Sequence, residues 1–243
     1  MRRCLFSILA LVATFSGAEA SCVDPSTLVH STVNIARDFG EEEQKATPGI
    51  LGIRGTGWFL SSQLVVTAAH VVEAMHLSEQ DWKEIEIRDG ESKGQLPARI
   101  LRLAGSHSEK MAVVELKTAF PSAVALRIRT DPLVPDERIV SLAYPNSRLR
   151  FAGGRFVEYG AGERFAGAAL LELHDGNDRL VLDHGASGAP VLDCEGRVVA
   201  VVSTLITQML RLPSGPVRVS TAWQTPNVVS IPAEALRGFV RSE

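Results

Sequence analysis

The stretch Asp183-His184-Gly185-Ala186-Ser187-Gly188-Ala189-Pro190, running on into Val191-Leu192, decides how the rest of the chain is read. Ser187 stands among small residues, with Gly185 two positions before it and Gly188 directly after it. Small neighbours let the backbone turn tightly and leave a hydroxyl uncovered, and they let backbone N–H groups converge beside it. These are the needs of a nucleophile whose attack creates an oxyanion. A serine alone is a weak nucleophile and requires a positioned base. The six histidines are His30, His70, His76, His107, His174 and His184, and all of them precede Ser187.

That order excludes one large class. Where the base follows the nucleophile, the turn reads G-x-S-x-G, and here Ala189 stands in place of the second glycine. The base must come from upstream. His70 is the candidate, in Leu64-Val65-Val66-Thr67-Ala68-Ala69-His70-Val71-Val72. An apolar strand leads to it, two alanines precede it, and it falls where the strand should end.

Thr67-Ala68-Ala69-His70, followed more than a hundred residues later by Gly185 to Pro190, resembles the trypsin/chymotrypsin-like serine proteases, in particular their secreted bacterial members. Gly55-Thr56-Gly57-Trp58-Phe59-Leu60 is similar to the strand of the first barrel in that family. The resemblance covers most of residues 48 to 232. It implies an all-β fold of two six-stranded antiparallel β-barrels with a short C-terminal helix, acting on a protein or peptide substrate. It also implies His70 as general base, Ser187 as nucleophile, and the N–H groups of Gly185 and Ser187 as oxyanion donors.

The third member of the triad is where the chain departs from the family. An aspartate usually stands directly before a short apolar strand, and the matching segment here is Lys110-Met111-Ala112-Val113-Val114. Lys110 cannot accept the imidazole N–H, and its charge opposes the imidazolium formed during attack. Glu109 is adjacent, while His107 and Ser108 read as loop residues. Three outcomes stay open: a triad completed by Glu109 or another acid, a Ser–His dyad, or a relative that binds proteins without cutting them. An esterase using the same serine on small substrates is a further alternative. By motif offset the floor of the specificity pocket lies near Leu180 to Leu182, with Ser203-Thr204-Leu205 along one wall, which argues against a buried acid selecting Lys or Arg.

The N-terminus reads as an export signal. Arg2 and Arg3 precede an apolar run from Cys4 to Phe15, and Ala18-Glu19-Ala20 supplies a cleavage site. The run is too short to span a bilayer, so residues 1–20 are expected to be a signal peptide rather than an anchor, and the chain to be secreted or periplasmic. In an oxidising compartment the two remaining cysteines, Cys22 and Cys194, are expected to pair. The domain then occupies 21–243, with a first barrel over about 30–120 and a second over about 136–232.

Composition agrees with this. A chain of 243 residues, 45% apolar and 22% charged, can bury a sizeable core. The net charge of −3 and the absence of basic runs interleaved with aromatics give no footing for nucleic acid. No H-E-x-x-H or other ligand spacing occurs, so neither a metal nor a cofactor is expected. Short apolar or alternating runs predict strands at Thr32–Ala36, Gly57–Ser61, Leu64–Ala68, Glu84–Arg88, Leu96–Leu103, Met111–Leu116, Ile139–Ala143, Ala168–Leu173, Pro190–Leu192, Val198–Leu205 and Val228–Ile231. Gly153-Gly154 is expected to break Leu149–Val157 into two strands. Glu41-Glu42-Glu43 reads as a solvated loop, and the three prolines between Lys117 and Glu137 as a linker between barrels. Pro232 opens a C-terminal helix.

Overall fold

The computed structural model describes residues 22–104, 110–175, 184–205, 207–212, 215–220 and 225–239. The first half comprises β1 (Thr32–Asp38), α1 (Glu41–Ala46), β2 (Gly52–Ser61), β3 (Leu64–Ala68), α2 (Ala69–Ala74), β4 (Lys83–Arg88), β5 (Lys93–Ala104) and β6 (Met111–Leu116). Its strands close into a barrel in the order β1-β2-β3-β6-β5-β4. The second half comprises β7 (Arg138–Ala143), β8 (Arg150–Tyr159), α3 (Gly162–Phe165), β9 (Ala169–His174), β10 (Pro190–Leu192), β11 (Val198–Leu205), the hairpin β12 (Thr207–Leu212) and β13 (Gly215–Ser220), and β14 (Val228–Pro232). Here the closed order is β10-β11-β14-β9-β8-β7, with β12 and β13 standing apart as a two-stranded sheet. The expected double barrel of six antiparallel strands each is therefore the fold.

Strand alternation explains how the two barrels share a core. Successive side chains of a strand point to opposite faces. Phe59 and Val65 accordingly fill the first barrel with Ile35, Ile85 and Val114. Their neighbours Trp58 and Val66 face outward and meet Met111, Val113, Leu142, Leu192 and Val201 in a separate cluster. That cluster joins first-barrel and second-barrel strands. Burying each such side chain fully contributes about 1.5–3 kcal/mol. The second barrel has its own filling of Ile139, Phe156, Leu171, Leu173, Val191 and Val202.

The C-terminal segment Ala233–Phe239 is helical as expected, but in the tighter 3-10 form. It packs Ala233 and Leu236 into the shared cluster. Cys22 and Cys194 are joined by a disulfide across 172 residues. The Val23 N–H also donates to the Cys194 carbonyl at 3.0 Å, so the start of the described chain lies along the turn after β10.

Three expectations need correction. Gly153-Gly154 does not interrupt a strand, because β8 runs unbroken from Arg150 to Tyr159. Gly154 is required for close approach: a Cβ there would lie 1.8 Å from the Glu172 carbonyl oxygen of β9. The acidic run is not a plain loop but the start of α1, with Glu43 folded back on its own N-terminus. The hairpin β12–β13 follows β11 where no strand was expected. Among the described residues no helix is long and apolar enough to cross a membrane.

Candidate active site

β3 ends at Ala68, and α2 begins at once, with His70 as its second residue. The junction is anchored on β6: Ala68 pairs with Met111, and the Ala69 N–H donates to the Lys110 carbonyl at 2.9 Å. Val71, Val72 and Met75 bury the inner face of α2 in the first barrel, which leaves His70 on the exposed side. Lys110 is exposed as well. Glu109, His107 and Ser108 lie outside the described residues, as do Leu180 to Leu182.

The turn carrying Ser187 comes from the other barrel and is fastened to the first one through Thr56. The Thr56 N–H donates to the Ser187 carbonyl at 2.9 Å, and the Thr56 hydroxyl donates to the Gly185 carbonyl at 2.6 Å. That hydroxyl also accepts from the Tyr144 N–H at 2.9 Å. Thr67 Oγ1 in turn donates to the Thr56 carbonyl at 2.6 Å. Thr56 and Thr67 are both fully buried. In the sequence both read as strand residues, and their contacts follow only from the pairing of β2 with β3 and the approach of the serine turn.

Two glycines let the barrels touch here. At Gly188 (φ 92°) a Cβ would sit 2.0 Å from the Thr56 oxygen, 2.1 Å from Thr67 Oγ1 and 3.0 Å from the Ala68 N. At Gly55 a Cβ would meet the Val71 side chain at 2.6 Å and the Ser187 carbonyl at 3.5 Å. Val71 directly follows His70. The histidine helix and the serine turn therefore converge on the same glycine of β2, from opposite halves of the chain.

Neighbouring contacts also orient the N–H groups of Gly185 and Ser187. Carbonyl and following N–H point to opposite sides of a trans peptide. The His184 carbonyl accepts from the Asn146 N–H at 2.9 Å, which turns the Gly185 N–H the other way. The Ala186 carbonyl accepts from the Ala189 N–H at 3.0 Å, which does the same for the Ser187 N–H. Among the described residues neither N–H enters a backbone hydrogen bond. Gly185 adopts φ 98°, and a Cβ there would come within 2.8 Å of the Tyr144 carbonyl oxygen, so glycine is needed for both reasons. Burial pushes the Tyr144 phenol up to about 12, keeping it neutral beside this turn.

Ser187 itself is half-buried, and its hydroxyl donates to the Ser203 carbonyl at 2.9 Å. The segment expected to line one wall thus also reaches the hydroxyl. His184 is exposed and serves the turn through its carbonyl.

Residues 55–201, more than half of the chain, match the family described as the trypsin-like peptidase domain. The chain therefore belongs to that family. Among solved structures it is similar to the active form of the Rv3671c protease from M. tuberculosis, with 18% identity, TM-score 0.56, and coverage of 94% of this chain and 92% of that one. It is also similar to the HtrA-type protease AlgW with tripeptide, with 14% identity and TM-score 0.58 over 87% of this chain and 60% of that one. At such identities the likeness is one of fold. No curated protein matches.

Proposed function

We propose that the chain is an exported serine endopeptidase in which His70 and Ser187 form the reacting pair. The observation that carries this reading is the convergence at Gly55, where the residue after His70 and the carbonyl of Ser187 pack on one spot. In the reaction the Ser187 hydroxyl leaves the Ser203 carbonyl and gives its proton to the His70 imidazole as it attacks a substrate carbonyl. The imidazolium then protonates the leaving amine, and water repeats the sequence on the acyl-enzyme. The N–H groups of Gly185 and Ser187 hold the oxyanion, each such donor being worth about 3 kcal/mol in the family of reactions that use one. The family match supports a polypeptide substrate. The N-terminal sequence and the Cys22–Cys194 bond support secretion or a periplasmic location.

Lys110 at the position of the usual acid favours a second reading, a protein-binding relative with little or no turnover. Incubation with a fluorophosphonate, followed by hydrolysis of casein and of a small ester, tests both. Covalent labelling and casein cleavage are the results expected. Binding of a polypeptide without labelling supports the second reading, and ester hydrolysis alone supports an esterase.

A further inference from the structure

α2 has only six residues, and its two ends are held differently. The end near His70 is fixed by β3 and the Lys110 carbonyl. At the far end, Arg37 of β1 donates from Nη1 to the Met75 carbonyl at 3.1 Å, capping the helix with a cation. The same guanidinium grips the Glu43 carboxylate with both nitrogens, at 2.8 and 2.9 Å. His76, which follows Met75 in the left-handed conformation (φ 56°), places Nδ1 3.2 Å from Glu43 Oε1. Its ring stacks on Phe39, with centroids 5.0 Å apart and planes 7° apart, and Arg37 lies 5.3 Å from the centre of the Phe39 ring. Arg37 holds the Glu43 carboxyl at about 2, so the carboxylate is charged at any physiological pH.

These contacts join segments that the reaction must keep in register. Glu43 lies in α1, and α1 connects β1 to β2, the strand whose Gly55 and Thr56 seat the serine turn. One carboxylate therefore ties the connection leading to Thr56 to the helix bearing His70. At a rise of about 1.5 Å per residue the helix is only about 9 Å long, so a shift at Met75 reaches His70 almost undiminished.

We propose that Arg37, Glu43 and His76 form a clamp that positions the His70 imidazole by fixing the far end of α2. The proposal rests on the reading of His70 as the base. The test compares wild type, Glu43→Ala, Arg37→Ala and Arg37→Lys by three measurements: the His70 ring resonance, amide exchange at Met75, His76 and Leu77, and fluorophosphonate labelling rate. Those amides are bonded to the Val71, Glu73 and Val72 carbonyls. In Glu43→Ala and Arg37→Ala the ring resonance is expected to move, the three amides to exchange about tenfold faster, and labelling to slow about tenfold or more. Arg37→Lys, which keeps the charge but loses the fork, is expected to recover part of the rate. A ring resonance and exchange rates that stay as in wild type overturn the clamp. So does slower labelling with an unmoved ring, since that places the effect elsewhere. A wild type that does not label, with a ring that still moves in Glu43→Ala, refutes the protease reading and leaves the clamp standing.

Discussion

The Thr56 hydroxyl donates to the carbonyl of Gly185 at 2.6 Å, a hydrogen bond that crosses from the first barrel to the second. It fixes the peptide following the proposed oxyanion donor, and the same hydroxyl accepts from the Tyr144 N–H. Thr56→Val preserves shape but leaves that carbonyl and that N–H without this partner in a buried place. The expected cost is about 1–3 kcal/mol of stability, measured by urea unfolding. Labelling of Ser187 is expected to slow about tenfold or more. Unchanged labelling separates the bond from the chemistry.

Gly188 lets the serine turn of the second barrel seat against β2 and β3 of the first. Gly188→Ala imposes a left-handed backbone on a residue with a Cβ, at about 1–2 kcal/mol, and drives that Cβ into the Thr56 oxygen and Thr67 Oγ1. The turn must move away from β2 and β3. The expected outcome is lost labelling and a lower melting temperature, whereas Ala186→Gly, at a position where φ is not in the left-handed region, leaves the turn seated.

Several carboxylates are held below their ordinary range, Glu43 and Asp89 among them, and each contributes to acid sensitivity. The Glu43 carboxyl sits near 2 against its ordinary 4.5, chiefly through Arg37. For Asp89, burial opposes ionisation, yet hydrogen bonds from Ser122, Ser92, His30 and Glu91 outweigh it and hold the group below 3.8. A depressed carboxyl contributes stability above its unfolded value, and that contribution is lost as pH falls through the folded one. Melting temperature is therefore expected to fall from about pH 4.5 down to about pH 2. Glu43→Gln and Asp89→Asn should each make that fall shallower, and the double variant shallower still.

The Cys22–Cys194 bond closes a loop of 172 residues, which in the chain-entropy account stabilises by about 5 kcal/mol. Cys22→Ser, or reduction of the wild type, is expected to lower the melting temperature markedly while labelling of the folded protein persists, because the bond lies on the turn after β10 and not at the serine turn. Loss of labelling before unfolding contradicts that separation.

Lys110 directly precedes β6, where the proposed mechanism would place an acid to orient His70. Lys110→Asp replaces a charge that opposes imidazolium with one that supports it. Faster labelling, by about tenfold or more, is the expected result, and an unchanged rate points to an acid already in place.

Much of this was legible in the sequence. Leu64 to Ala68 ends on a histidine turn because the strand cannot continue past a segment that packs Val71 and Val72 inward, and that break was visible in the residues. Gly185 and Gly188 stood out as well, although only the coordinates show that Gly188 is needed for contact with Thr56. What could not be read was long-range. Thr56 and Thr67 look like any β residues until a turn 120 and more residues away lands on them. Gly154 looked like a strand breaker because a glycine serving close approach to β9 carries the same letter as one serving a turn. Glu41-Glu42-Glu43 looked solvated because the Arg37 and His76 that bind Glu43 meet it only after β1 and α2 are in place.

In the proposed reaction His70 activates Ser187. The most direct measurement is the rate of fluorophosphonate attachment, with the modified residue located by peptide mapping, in wild type, Ser187→Ala and His70→Ala. Modification at Ser187 alone, none in Ser187→Ala, and a rate at least about a thousandfold lower in His70→Ala are expected. Labelling in wild type that is equally fast without His70, or that lands on another residue, contradicts that reaction.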